Sequence, residues 1–206
     1  MKQAIPFKDL TISDFLEMLA NDNPPLPAAG SATALVGAVA CALSRFVTQL
    51  SLKKGLKLEV YPFDESIIDD LFSFHKKCLD IMDQDAYAYA QVFEARKLSN
   101  NSRDAESNSN DIVQNAYKLS LKPPMELIET SIQLLDRLTM IKKTIPKSTS
   151  ADLGVAVNLA YTCLTASIFI IEANLKEITD SSLADDFYRQ LDRYRVQGAY
   201  YYKEFQ

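Results

Sequence analysis

Apolar residues recur at intervals of three and four along most of the chain, and no strict alternation persists over the length of a strand. Thr11 or Ser13 opens a short helix to about Ala20. Pro24, Pro25 and Pro27 then hold the backbone extended before a helix of small residues over about 28–52. Residues 53–62 read as a connection, and Asp64 as the N-cap of a long helix. Its predicted stripe is Ile68, Leu71, Phe72, Cys78, Leu79, Met82, Ala86, Tyr89 and Phe93. The Ser- and Asn-rich stretch 99–111 reads as a loop. A helix from Ile112 is interrupted at Pro123-Pro124, where a kink is expected, and resumes to Ile141. Thr149 to Asp152 opens another apolar helix, and an amphipathic one runs from about Ser181. The pattern predicts an all-α fold: a single-domain helical bundle spanning 1–206, with long, partly kinked helices.

Two segments stand out because they lack charge, 23–44 and 153–171. In the first, Gly30, Ala34, Ala38 and Ala42 fall at i, i+4 spacing, a face with so little bulk that another backbone can approach closely. It is a packing axis or a subunit interface. The glycines inside these segments, Gly30, Gly37 and Gly154, are expected at close approaches. Both segments reach membrane-spanning length. The first is dominated by Ala, Gly, Ser and Thr, and the second carries Asn158, Thr162, Thr165 and Ser167. The central helices of a soluble bundle explain the pattern better than a membrane does.

Composition narrows the function classes. A net charge of −5 and a pI near 5.0 give no support for nucleic-acid binding. The three cysteines, Cys41, Cys78 and Cys163, have no metal-ligand spacing and fit a reducing compartment. With no apolar signal run at the N-terminus, the expectation is cytoplasmic. No metal site and no tightly bound cofactor are expected.

Candidate chemistry is sparse. His75 is expected to be a partly buried, hydrogen-bonded structural residue. Asp85 lies on or beside the buried stripe, where desolvation raises a carboxyl pKa toward neutrality and suits it to proton transfer; a solvated flank position is the alternative. Asp152 lies three residues after Thr149, the spacing of a capping box, and either capping or catalysis accounts for it. Lys53, Lys54 and Lys57 follow the small-residue helix, as a solvated run or as cations for an acidic substrate.

These residues resemble the formiminotetrahydrofolate cyclodeaminase / methenyltetrahydrofolate cyclohydrolase family, in order and spacing over nearly the whole chain. The family's proline- and glycine-rich entrance corresponds to Pro25-Leu26-Pro27-Ala28-Ala29-Gly30-Ser31. Its acidic element corresponds to Asp85-Ala86-Tyr87-Ala88-Tyr89, its Ser-Asp element to Ala151-Asp152-Leu153-Gly154-Val155-Ala156, and its late Asn-Leu element to Asn174-Leu175-Lys176-Glu177-Ile178. The resemblance implies a homodimer with its site near the subunit interface and a tetrahydrofolate derivative as substrate. It also implies an ammonia lyase or a hydrolase on N5/N10-linked one-carbon adducts. Asp85 is then the first choice for the proton shuttle and Asp152 the second. Pro27, Gly30, Ser31, Lys53, Lys54 and Asn174 become the substrate-binding candidates.

Several positions depart from the family pattern. Two of three glycines are Ala28 and Ala29, a Gly-Asn pair is Ile145-Pro146, a serine is Ala151, and the first Asn of an Asn-x-x-x-Asn pair is Ile170. The expected arginine after the polar stretch falls on Ser109, with Arg103 nearby. A second reading follows: a family member without turnover that acts as a dimeric folate-binding or interaction protein.

Overall fold

A computed structural model describes residues 5–21, 27–54, 66–101 and 106–206. Seven α-helices account for most of them: α1 (Ile12–Leu19), α2 (Ala29–Lys53), α3 (Ser66–Asn101), α4 (Glu106–Ser120), α5 (Lys122–Ile141), α6 (Ser150–Leu175) and α7 (Ser181–Lys203). Single 3₁₀ turns at Phe7–Asp9 and Lys147–Thr149 precede α1 and α6. No strand occurs among the described residues. Pro24, Pro25, Lys57, Asp64 and Arg103 lie outside them.

The helices built from the two uncharged segments, α2 and α6, pack against each other, with α3 against α2 and α5 against α6. The small face of α2 makes this possible: Gly30, Ala34 and Ala38 are buried, whereas Ala42 faces outward. A Cβ at Gly37 would stand 3.0 Å from the Sγ atoms of both Cys78 and Cys163, so a side chain there would press on α3 and α6 together. All three cysteines are free and buried. Cys78 is pushed up in pKa by its hydrogen bond with Cys41 and by burial, and burial pushes Cys163 up to about 12. Cys78 and Cys163 therefore remain protonated core residues. Leu127, Leu134, Leu135 and Leu138 of α5 join Leu164, Ile168 and Ile171 of α6 in the same hydrophobic core.

Several expectations are corrected. The polar stretch 99–111 is helical over most of its described length, because α3 runs to Asn101 and α4 begins at Glu106. Ser and Asn are only mild helix breakers, and the stretch holds neither Gly nor Pro. The predicted stripe of α3 is buried only in part: Leu71, Cys78, Met82 and Ala86 point inward with Ile67, Ile81, Ala88 and Val92, while Phe72, Tyr89 and Phe93 are exposed. Gly154 is not a close approach, since a Cβ there would meet nothing within 4 Å. The capping box at Thr149 does not form; the Thr149 hydroxyl donates to the Pro146 carbonyl at 2.9 Å instead.

The paired prolines break the helix rather than kink it. Leu121 separates α4 from α5, and Pro123 and Pro124 occupy the first turn of α5, where their missing N–H groups cost no helical bond. Asp180, which also pairs with Lys118 near the end of α4, caps α7 by accepting from the Leu183 N–H at 3.1 Å.

Candidate active site

The N-terminus of α2 has no cap of its own: Ala28 offers no side-chain acceptor. The acceptor comes from α3, where the Asp85 carboxylate receives the Ser31 backbone N–H. The Ser31 hydroxyl donates to the Met82 carbonyl at 2.7 Å, a second tie between the same two helices. Gly30 lets the first turn of α2 come this close. A Cβ on it would fall 1.9 Å from Asp85 Oδ1. Asp85 is only 9% exposed, and burial pushes its pKa up to about 6 against the opposing pull of the Ser31 N–H. Of the two alternatives for this residue, the inward position is the one observed.

Asp85 lines a cavity of about 360 Å³ between the start of α2, the middle of α3 and the end of α6. Tyr89, Val92, Phe93 and Arg96 continue from Asp85 along the same face of α3. Tyr117 and Ser120 come from α4, and Ile170, Ala173, Asn174 and Glu177 from α6 and the turn after it. The Asn174 amide donates to Ser120 Oγ at 3.0 Å, and Ser120 donates to the Tyr117 carbonyl at 2.8 Å. Among the described residues no cluster of His, Cys, Asp and Glu could hold a metal ion.

The structure divides the candidates by position. Gly30, Asp85 and Asn174 line the cavity; Ser31 lies beneath it through its bonds to Asp85 and Met82, and Pro27 is buried just ahead of α2. Lys53, Lys54 and Asp152 lie at the opposite end of the bundle. From the start of α2 to Lys53 is about 36 Å, and from Asp152 to Asn174 about 33 Å, at about 1.5 Å per helical residue. Lys54 Nζ donates to Ser148 Oγ at 3.4 Å, so the end of α2 meets the start of α6 there. His75 is also remote. Its Nδ1 is buried without a partner among the described residues, so the expected hydrogen bond at that atom is not made, and burial and Arg45 lower its pKa.

Arg96, Tyr89, Phe93, Tyr117 and Glu177 were not among the sequence candidates. The first three carried a signal: counted from Asp85, they fall four, eight and eleven positions on, one face of one helix. Tyr117 and Glu177 come from other elements and carried none.

Comparison with known proteins decides the lineage. The sequence model described as formiminotransferase-cyclodeaminase matches residues 11–193. The chain belongs to that family. It is 24% identical over 182 residues to methenyltetrahydrofolate cyclohydrolase of Methylorubrum extorquens, covering 88% of this chain and 87% of the relative. It is 25% identical over 170 residues to formimidoyltransferase-cyclodeaminase of Rattus norvegicus, covering 82% of this chain but only 30% of the rat protein. The fold matches the crystal structure of formiminotetrahydrofolate cyclodeaminase from Thermotoga maritima with a TM-score of 0.76. That match has 22% identity and covers 96% and 94% of the two chains. The family's matched span contains every residue named above as lining the cavity.

Proposed function

We propose that this protein is a folate one-carbon enzyme, a cyclodeaminase or cyclohydrolase acting on N5/N10-linked adducts of tetrahydrofolate. The observation that carries the reading is the buried Asp85, with a pKa near 6, on the wall of an aromatic-lined cavity in a chain of this family. Both reactions pass through a tetrahedral carbon between N5 and N10. In ring closure of the protonated formimino adduct, N10 attacks the amidine carbon and gives up its proton. The amino group accepts a proton and leaves as ammonia. In hydrolysis, water adds to the methenyl carbon and gives up a proton; the carbinol oxygen then releases its own proton to solvent as the carbon–N5 bond breaks, N5 takes up a proton, and the formyl group stays on N10. One carboxyl group poised near neutrality can take the first proton and return it to the departing nitrogen. Asp85 is assigned that shuttle.

The proposal extends to a homodimer. Helices α2 and α6 each leave an apolar stripe uncovered: Val39 and Phe46 on α2, Val155 and Phe169 on α6, the last 75% exposed. Both helices are long and apolar enough to cross a membrane, and 44% of each apolar window is buried within the fold. A two-fold, antiparallel pairing of these stripes covers them. It also sets the Lys53, Lys54 and Asp152 end of one copy against the Asp85 cavity of the other. That arrangement reunites the two groups of candidates separated within a single chain.

The second reading, binding without turnover, is favoured by one observation: Ala28, Ala29 and Ile170, all departures from the family pattern, line the cavity. The deciding experiment adds purified protein to 5,10-methenyl-tetrahydrofolate and follows its near-ultraviolet absorbance, with Asp85→Asn as control. Decay above the spontaneous rate, absent in the variant, supports the enzyme. Failure with both this adduct and formimino-tetrahydrofolate, alongside retained folate binding, gives the second reading.

A further inference from the structure

Asp85 and Arg96 occupy the same face of α3 about three turns apart, or about 16 Å along the helix, with the exposed rings of Tyr89 and Phe93 between them. Among the described residues that line the cavity, Arg96 is the cation. Its guanidinium lies over the Tyr117 ring, 5.1 Å from the centroid, and Nη2 donates to Glu177 Oε2 at 2.6 Å. Glu177 is itself held. Its backbone carbonyl accepts from Gln114 Nε2 at 3.0 Å, while Gln114 Oε1 accepts from the Thr179 N–H at 2.8 Å. The turn after α6 is thereby fastened to α4.

The Arg96–Glu177 side chains are 51% and 48% exposed, and an ion pair so open to water adds little to folding. Its effect is to fix the plane and position of a guanidinium at the edge of the cavity. A guanidinium carries five N–H donors, and one bond to Glu177 leaves donors for a second carboxylate. The cavity thus presents a proton-transfer group at one place, aromatic surface along the wall, and a pre-oriented carboxylate receptor about 16 Å along the helix.

We propose that Arg96 is the specificity residue that binds the glutamyl carboxylate of the substrate, an assignment that rests on the folate reading above. Of the substrate's parts, only the glutamyl end is anionic, and it lies remote from the one-carbon centre beside Asp85. Lys53 and Lys54 of the same chain cannot take this role, being at the far end of α2. The substrate's carboxylate shares the fork with Glu177 or displaces it, a competition that solvent screening moderates at so exposed a position.

The test is calorimetric titration of the full chain with 5-formyl-tetrahydrofolate, a stable ligand, and with the same compound lacking its glutamate. Wild type is expected to bind the glutamate-bearing form at least about tenfold more tightly, the scale of a charge-assisted fork. Arg96→Gln should bring the two affinities within about twofold by weakening only the glutamate-bearing ligand. Arg96→Lys should keep part of the preference, and Glu177→Gln, which removes the competing carboxylate, all of it. A preference retained in Arg96→Gln, or absent in wild type that still binds both compounds, overturns the assignment and leaves the folate reading intact. If wild type binds neither, both fall together. Should Arg96→Gln not fold, the Arg96→Lys and Glu177→Gln pair decides by the same criterion.

Discussion

Gly30 and Asp85 are in such close register that a single methyl group at residue 30 would occupy the carboxylate's place, 1.9 Å from Oδ1. The first turn of α2 and the middle of α3 are built around that approach. Gly30→Ala should therefore act on the site before it acts on the fold. The carboxylate must swing away from the Ser31 N–H, and α2 loses its acceptor. Turnover should fall at least about tenfold, the effect of a misplaced reacting group. Melting temperature should drop by only a few degrees, about what loss of one helix cap costs. Equal turnover in the variant, measured by methenyl absorbance, would remove Asp85 from the chemistry.

The raised pKa of Asp85 has a consequence for stability, with a definite sign. Burial favours the protonated carboxyl in the folded chain, whereas the unfolded chain ionises near pH 4. Between about pH 4 and pH 6 the native state binds more protons, so this group's contribution falls as pH rises and levels off above pH 6. The penalty at neutral pH is about 3 kcal/mol. Asp85→Asn keeps an acceptor for the Ser31 N–H and abolishes that penalty. The variant should be inactive yet melt higher than wild type at pH 7.5, and the advantage should vanish by pH 4. Denaturant midpoints across that range measure it, and an equal destabilisation at every pH would contradict it.

Catalysis should titrate with the same group. If Asp85 takes a proton from N10 or from water, the ionised form is the active one, and kcat/KM should fall on the acid side with an apparent pKa near 6. A profile flat from pH 5 to 8 would exclude Asp85 as the base.

The elements were legible in the sequence because proline punctuation and helical periodicity are local properties. The limits of α1 and α2 and the starts of α6 and α7 fall within a residue or two of where the pattern places them. The inward face of α3 was harder to read. Its aromatics Tyr89 and Phe93 have the spacing of core residues, yet they line a cavity that only α4 and α6 complete. Asp85 was visible as a carboxylate near a buried stripe, and the resemblance to the family singled it out further. That it caps α2 from another helix was not visible, because no local pattern records which backbone N–H groups a distant carboxylate will meet. Glu177 is hidden for the same reason. It stood in the sequence only as part of the late Asn-Leu element, and no local pattern shows that α3 brings Arg96 to within 2.6 Å.

Close packing of α7 on the core offers a test of the fold alone. A Cβ at Gly198 would stand 2.1 Å from Leu164 Cδ2, with Ile132 Cδ1 behind at 3.6 Å. Leu164 is fully buried and cannot swing into solvent. Gly198→Ala should destabilise by about 1–3 kcal/mol, the usual cost of overpacking, despite alanine's better helix propensity. Leu164→Val should recover part of that loss by retracting the clashing methyl. A Gly198→Ala protein as stable as wild type would mean that α7 can shift outward freely.

Whether the two ends of the bundle meet across subunits is decided by complementation. In one chain the cavity that Asp85 lines is walled by the end of α6, whereas Asp152 lies at the start of that helix, about 33 Å away along it. In an antiparallel dimer, each site pairs Asp85 of one copy with Asp152 of the other. Asp85→Asn and Asp152→Ala homodimers should then both be inactive. Unfolded together and refolded as a mixture, they form heterodimers in which one site carries both mutations and the other carries neither. Random pairing should restore about a quarter of wild-type activity. Phe46→Glu, which places a charge in the apolar stripe of α2, should yield a folded monomer by light scattering and abolish the restoration. An active Asp152→Ala homodimer would remove Asp152 from the site. Two inactive homodimers whose mixture stays inactive, although heterodimers form, would show that each site draws both groups from one chain or that Asp152 serves only to hold the start of α6.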